Sequence, residues 1–160
     1  MDLIKDLINC DQNKLNDLSD KIYEENRNNI DYWNFMITNT ILDDKVILDN
    51  FENLDKELLI KNQNLNKNII LNEKFLKNEE HFFNLLFTCQ SLDMDTLEEL
   101  IKLNEDVDWN LISKFQNLSI FFIDKYKTKL NWRFISEFQY LPIDYIQIMK
   151  DKIHFESLGK

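Results

Sequence analysis

The chain has 160 residues, 44% of them hydrophobic, and a formal net charge of −10, so it can bury a core but lacks the excess of Lys and Arg that general nucleic-acid binding needs. Two cysteines are too few for a disulfide framework; with no signal-peptide pattern they point to a reducing, intracellular compartment. No apolar run approaches the roughly 18 residues of a membrane span, and a single Gly excludes a Gly-rich phosphate loop and leaves the turns to Asn, Asp and Ser.

Residues 1–29 read as an N-terminal cap, because Leu18, Ser19, Ile22 and Tyr23 are a worn copy of a phrase that recurs further on. Residues 30–53 contain the first good copy, with Trp33, Phe35, Met36, Leu42 and Ile47 at its apolar positions. Residues 54–78 keep Leu58, Leu59, Gln63, Leu65 and Ile70 but put Lys56 where the aromatic belongs, which predicts the most easily frayed unit. Residues 79–106 restore the aromatic as Phe83, followed by Leu85, Leu86, Gln90, Leu92 and Leu97.

Residues 107–129 and 130–152 speak the phrase most clearly: Trp109, Ile112, Gln116, Leu118 and Ile123 answer Trp132, Ile135, Gln139, Leu141 and Ile146, each pair 23 positions apart. Residues 153–160 begin another copy with Phe155 and stop, leaving Gly159 as a candidate helix C-cap.

Each unit predicts two short helices. Trp109, Leu111, Ile112 and Phe115 share a helical face behind Asp108 as N-cap, and Asp55 and Asn131 hold the same place elsewhere. The second helix is preceded down the units by Ser19, Asp43, Asn66, Asp93, Ser119 and Pro142, five N-cap residues and one residue tolerated at a helix start. The expectation is therefore an all-α chain: an α-solenoid of helix-turn-helix units with a period of about 23–27 residues and helices of about eight to eleven residues. Helices so short owe their stability to the neighbours they pack on.

Little in the chain suggests chemistry. His81 and His154 lack a second His or Cys at ligand spacing, and Cys89, at the place of Phe115, is expected to be a buried thiol. No catalytic residue, metal site or cofactor is expected, and the chain does not read as an enzyme. The recurring Gln63, Gln90, Gln116 and Gln139 are either a polar ladder for an extended ligand or the hydrogen-bond partners of buried turn backbone. The column Trp33, Phe83, Trp109, Trp132 and Phe155 reads as core rather than as a stacking platform.

One departure favours binding. The first turn of the second helix is polar early on (Asp44, Lys45, Lys67, Asn68) and apolar later (Met94, Ile120, Phe121, Ile143), and Tyr140 replaces the Asn or Ser of the three units before it. Met94, Ile120, Phe121, Tyr140 and Ile143 are thus candidate partner-binding residues. Lys125, Lys127, Lys129, Lys150 and Lys152 lie nearby, either as a basic rim or as complements to helix C-termini. Charge is also polarised: residues 107–160 carry a net +2 and residues 1–106 a net −12.

The phrase DWNLISKFQNLS, followed by FIDKYKTKLNW, resembles short repeats in proteins of large DNA viruses that infect amoebae, which share the AT-rich composition and often accompany ankyrin or F-box segments. The resemblance covers residues 107–155 well and 31–106 loosely; no ankyrin or F-box signature is present here. It implies a virus-encoded interaction module acting in the host cytoplasm, with another protein as partner. A structural or assembly protein that binds copies of itself is the alternative.

Overall fold

The computed structural model describes residues 21–76, 80–104 and 106–158, and among them every regular element is helical. The predicted caps at Ser19 and Gly159 lie outside these residues. The chain divides into two compact units, residues 1–59 and 60–160.

In the first unit residues 21–26 are helical, and α1 (Ile30–Asn39) and α2 (Asp44–Asp49) follow. Asn29 caps α1, its side chain accepting from the N–H groups of Asp31 and Tyr32, and Asp43 caps α2 by accepting from Lys45 N–H. Trp33 is buried and donates its indole N–H to Arg27 O at 2.8 Å, while the Tyr23 ring meets it edge-on at 6.0 Å. The Tyr23 hydroxyl donates to Asn50 Oδ1 at 2.8 Å, so this end of the predicted cap is fastened to the unit by a ring contact and a hydrogen bond. Helix α3 (Lys56–Asn62), in which Asp55 accepts from Leu58 N–H, contains the division between the two units.

The second unit continues with α4 (Lys67–Ile70), α5 (Glu73–Leu76), α6 (Glu80–Cys89), α7 (Met94–Leu103), α8 (Trp109–Phe115), α9 (Ile120–Lys125), α10 (Trp132–Phe138), α11 (Ile143–Ile148) and a 3-10 turn at Phe155–Ser157. First helices pack in succession, α6 on α8, α8 on α10, and α10 on the 3-10 turn. Second helices are linked by ion pairs: Lys67 of α4 meets Glu99 of α7 at 2.8 Å, and Lys125 of α9 meets Glu98 of α7 at 2.7 Å. The core is made of Leu86, Phe87, Leu97, Ile112, Phe122, Ile123 and Ile135, each almost wholly out of solvent.

The helices run from four to ten residues; α1, α6 and α7 reach the eight to eleven expected and the others are shorter. The cause is visible at the Gln positions. Gln116 (φ −92°, ψ 143°) and Gln139 (φ −102°, ψ 143°) are extended C-caps that end α8 and α10 after two turns. Residues 54–78 are also better packed than their missing aromatic suggests, because α5, which the sequence pattern did not predict, buries Phe75 completely.

Candidate interaction surface

The Gln residues form a relay. In Gln90, Nε2 donates to Ile60 O (2.6 Å) and Gln63 O (2.8 Å), and Oε1 accepts from Leu65 N–H (2.9 Å). Gln116 repeats this on Phe87 O (2.7 Å), Gln90 O (2.8 Å) and Leu92 N–H (3.1 Å). Gln139 repeats it again on Ser113 O (3.1 Å), Gln116 O (2.8 Å) and Leu118 N–H (2.9 Å). Each carboxamide thus satisfies three backbone groups in the turn of the preceding unit, groups that are costly to leave unpaired when buried. Of the two readings of these residues, the structural one describes Gln90, Gln116 and Gln139.

A second relay went unrecognised in the sequence. Ser113 Oγ donates to Trp109 O (2.6 Å) and accepts from Asn131 N–H (3.0 Å); Ser136 Oγ donates to Trp132 O (2.7 Å) and accepts from His154 N–H (2.9 Å). The signal was there, since Ser113 and Ser136 stand 23 positions apart within the repeat.

The five candidate binding residues separate. Phe121 on α9 is 90% exposed, Tyr140 in the turn after α10 is 88% exposed and Ile143 at the start of α11 is 72% exposed, whereas Met94 and Ile120 are half-buried. Met94, Ile120 and Ile143 hold the same repeat position, and only the one with no further helix pair after it among the described residues stands open. Tyr140 and Ile143 are joined on this last unit by Ile148, 74% exposed, which the sequence reading missed; Phe121 lies one unit back.

Other expectations are corrected. Cys89 is exposed, not a buried thiol, with its Sγ 3.5 Å from Thr88 Oγ1, and Phe115 at the matching position is half exposed. Both sit at the last residue of a helix whose inner face is set by the residues two and three positions earlier: Leu86 and Phe87 on α6, Ile112 and Ser113 on α8. Phe138 is exposed for the same reason, and Lys114 lies 5.0–5.8 Å from the rings of Phe115, Phe134 and Phe138. The aromatic column grades outward, from buried Trp33 and Phe83 through half-buried Trp109 and Trp132 to exposed Phe155.

The lysines do not make a free rim. Lys129 lies over Trp109 at 5.1 Å and Lys152 over Trp132 at 5.6 Å, while Lys127 pairs with Asp124 at 3.1 Å. Tyr145 of α11 has its hydroxyl buried with no hydrogen-bond partner among the described residues, and burial pushes its pKa up.

Two open depressions each hold a histidine, one beside two carboxylates and the other beside one. One, about 490 Å³, is lined by His81, Asn84, Asp106, Asp108 and Asn110; the other, about 710 Å³, by Arg133, His154, Phe155, Glu156 and Ser157. Among the described residues no three His, Cys, Asp or Glu side chains are grouped to hold a metal ion, and no helix is long and apolar enough to cross a membrane. No protein family, no curated protein and no solved structure matches the chain.

Proposed function

We propose that the chain is an α-solenoid of about five helix pairs that serves as a protein–protein interaction module, a small adaptor of the kind large DNA viruses of amoebae encode, working in the host cytoplasm. The helical fold and the turn-to-turn glutamine relay support the solenoid. The observation that carries the binding role is the exposure of the large side chains Phe121, Tyr140 and Ile143, of which Phe121 stands at a position that earlier units fill with Lys45, Asn68 and Asp95. Burying one such side chain in a partner contributes roughly 1.5–3 kcal/mol, enough for a few anchors to dominate an interface.

The alternative is a self-associating assembly protein. What favours it is that Ile143 is open where its counterparts Met94 and Ile120 are half-covered, so that the apolar face they share is exposed at α11.

Capture from host-cell lysate with the wild type, Phe121→Asp and Tyr140→Asp side by side tests the first reading. All three proteins are expected to keep the same thermal midpoint, because the altered residues are exposed. The reading expects a protein retained by the wild type and lost by at least one variant. Equal capture by all three overturns it, and a sedimentation coefficient that rises with concentration in the wild type alone selects self-association.

A further inference from the structure

We infer that the outer face of α8 and α10 is a self-association surface, on which a second copy of this chain docks across a two-fold axis with Lys114 of each copy against Glu137 of the other. The inference goes beyond the interaction-module reading, because this face is carried by the first helices of two adjoining units, whereas Phe121, Tyr140 and Ile143 stand on second helices and in a turn.

The apolar character of this face is not required by the fold. Down the units its central position reads Asn39, Asn62, Cys89, Phe115 and Phe138, and the side chain is exposed in every one. Cys89 and Phe115 are exposed although the following unit is in place, with α8 packed on α6 and α10 on α8, so the face does not owe its openness to a missing neighbour along the series. A phenyl ring stands here on α8 and α10 where two earlier units have an asparagine, and water favours the asparagine. The apolar area is contiguous. Phe134, half-buried beside Phe138, has its ring 6.1 Å from it, and Lys114 Nζ lies within 5.0–5.8 Å of the rings of Phe115, Phe134 and Phe138, so that three rings on two helices surround one ammonium.

The charges select the occupant. Lys114 and Glu137 hold the same repeat position on α8 and α10, and among the described residues neither is in an ion pair. The two helices run side by side in the same direction, since Asn131 Nδ2 donates to Asn110 Oδ1 at their starts (2.7 Å) and Gln139 Nε2 donates to Gln116 O at their ends (2.8 Å). A two-fold axis perpendicular to the face and midway between them therefore lays α8 of one copy antiparallel on α10 of the other. It brings the cation of each copy to the anion of the other, twice, which is the self-complementarity an isologous dimer requires. Phe115 and Phe138 meet across the same axis. The rings supply the area to be buried, and the charges set register and orientation. A uniformly acidic or basic partner would leave one of the two charges facing its like, so a second copy fits the pair better than either.

The test is sedimentation equilibrium of the full chain from about 1 to about 300 µM, applied to the wild type, Lys114→Glu, Glu137→Lys and an equimolar mixture of the two variants. The wild type is expected to pass from monomer to dimer in this range. Each variant alone sets like charges together at both contacts and is expected to weaken the dimer about tenfold or more. The mixture is expected to recover it, because every contact between the two variants is again a cation against an anion; a pairing of Lys114 with Glu137 inside one chain is not restored by mixing. Tyr140→Asp is expected to dimerise as the wild type does, which separates this face from the surface of the interaction-module reading. A wild type that stays monomeric to about 300 µM overturns the inference and leaves the face to a foreign protein. A dimer that the single charge variants do not weaken, that mixing does not restore or that Tyr140→Asp abolishes overturns it too.

Discussion

Helices α9 and α11 hold the same place in successive repeats and have six residues each, yet α9 buries Phe122 and Ile123 while α11 buries none of its side chains. Composition does not explain the difference, since Tyr145 and Ile146 stand where Phe122 and Ile123 stand. Neighbours do: α9 has helices of the same kind on both sides in the sequence, and among the described residues α11 is followed by the 3-10 turn at Phe155–Ser157 alone. Where helices pack in succession, as α6, α8 and α10 do, exposure depends on the neighbours an element has before it depends on the residue.

The largest expected effect that tests this comparison is in packing. Ile123→Ala leaves a cavity at a site with no solvent access and is expected to cost about 2–5 kcal/mol, whereas Ile146→Ala, half-buried, is expected to cost about 1 kcal/mol. Denaturant titration of both variants measures the gap; equal costs would mean that α11 is as fully covered in solution as α9.

The glutamine relay gives the next effect in size. Gln116→Leu leaves Phe87 O, Gln90 O and Leu92 N–H without partners in a buried turn and is expected to destabilise by about 1–3 kcal/mol. Gln139→Leu would orphan Ser113 O, Gln116 O and Leu118 N–H, but Gln139 itself is half-buried where Gln116 is buried, so its cost is expected to be no larger. The same denaturant experiment reads both, and a costlier loss at Gln139 would contradict the outward loosening of the series.

What the sequence made legible follows from how local each interaction is. Asp43, Asn66, Asp93 and Ser119 were predicted as N-caps from their place before an apolar group, and each accepts a backbone N–H two or three residues on. The relay bonds span 21 to 30 residues, so spacing exposed the glutamines as a set but not what they touch. Phe115 and Cys89 were misplaced because an apolar face was assumed to continue to the end of a helix. Ser113 shows the converse, a hydroxyl wholly buried because Trp109 O and Asn131 N–H use both its donor and its acceptor capacity. Tyr140 and Ile143, singled out by comparing units with one another, are exposed, whereas Met94 and Ile120 are half-buried, because a repeat position does not carry its burial from one unit to the next.

The smallest expected effect separates the starts of α7 and α11. Asp93 caps α7 by accepting from Thr96 N–H and Thr96 Oγ1, both at 2.8 Å, and these bonds hold its carboxyl below the usual carboxylate range. Pro142, at the same repeat position before α11, has no side-chain acceptor. A carboxyl depressed by folding contributes stability that is fully present above its unfolded pKa, about 3.9, and is lost as pH falls through the lower folded value. The start of α7 should therefore lose cap stability as pH falls through the carboxylate range, a loss that Pro142, with no side-chain acceptor, does not add at the start of α11. Asp93→Asn keeps a cap of similar strength with no charge to titrate, so its stability near neutral pH is expected to stay within about 0.5 kcal/mol of the wild type while the acid-dependent part shrinks. Asp93→Ala is expected to lose about 1 kcal/mol near neutral pH, with that difference narrowing toward pH 3. Hydrogen exchange at the amides of Asp95 to Leu97 and of Asp144 to Ile146, followed from pH 6 to pH 3, resolves the two helix starts; identical acid profiles at both would show that the cap charge at Asp93 does not contribute.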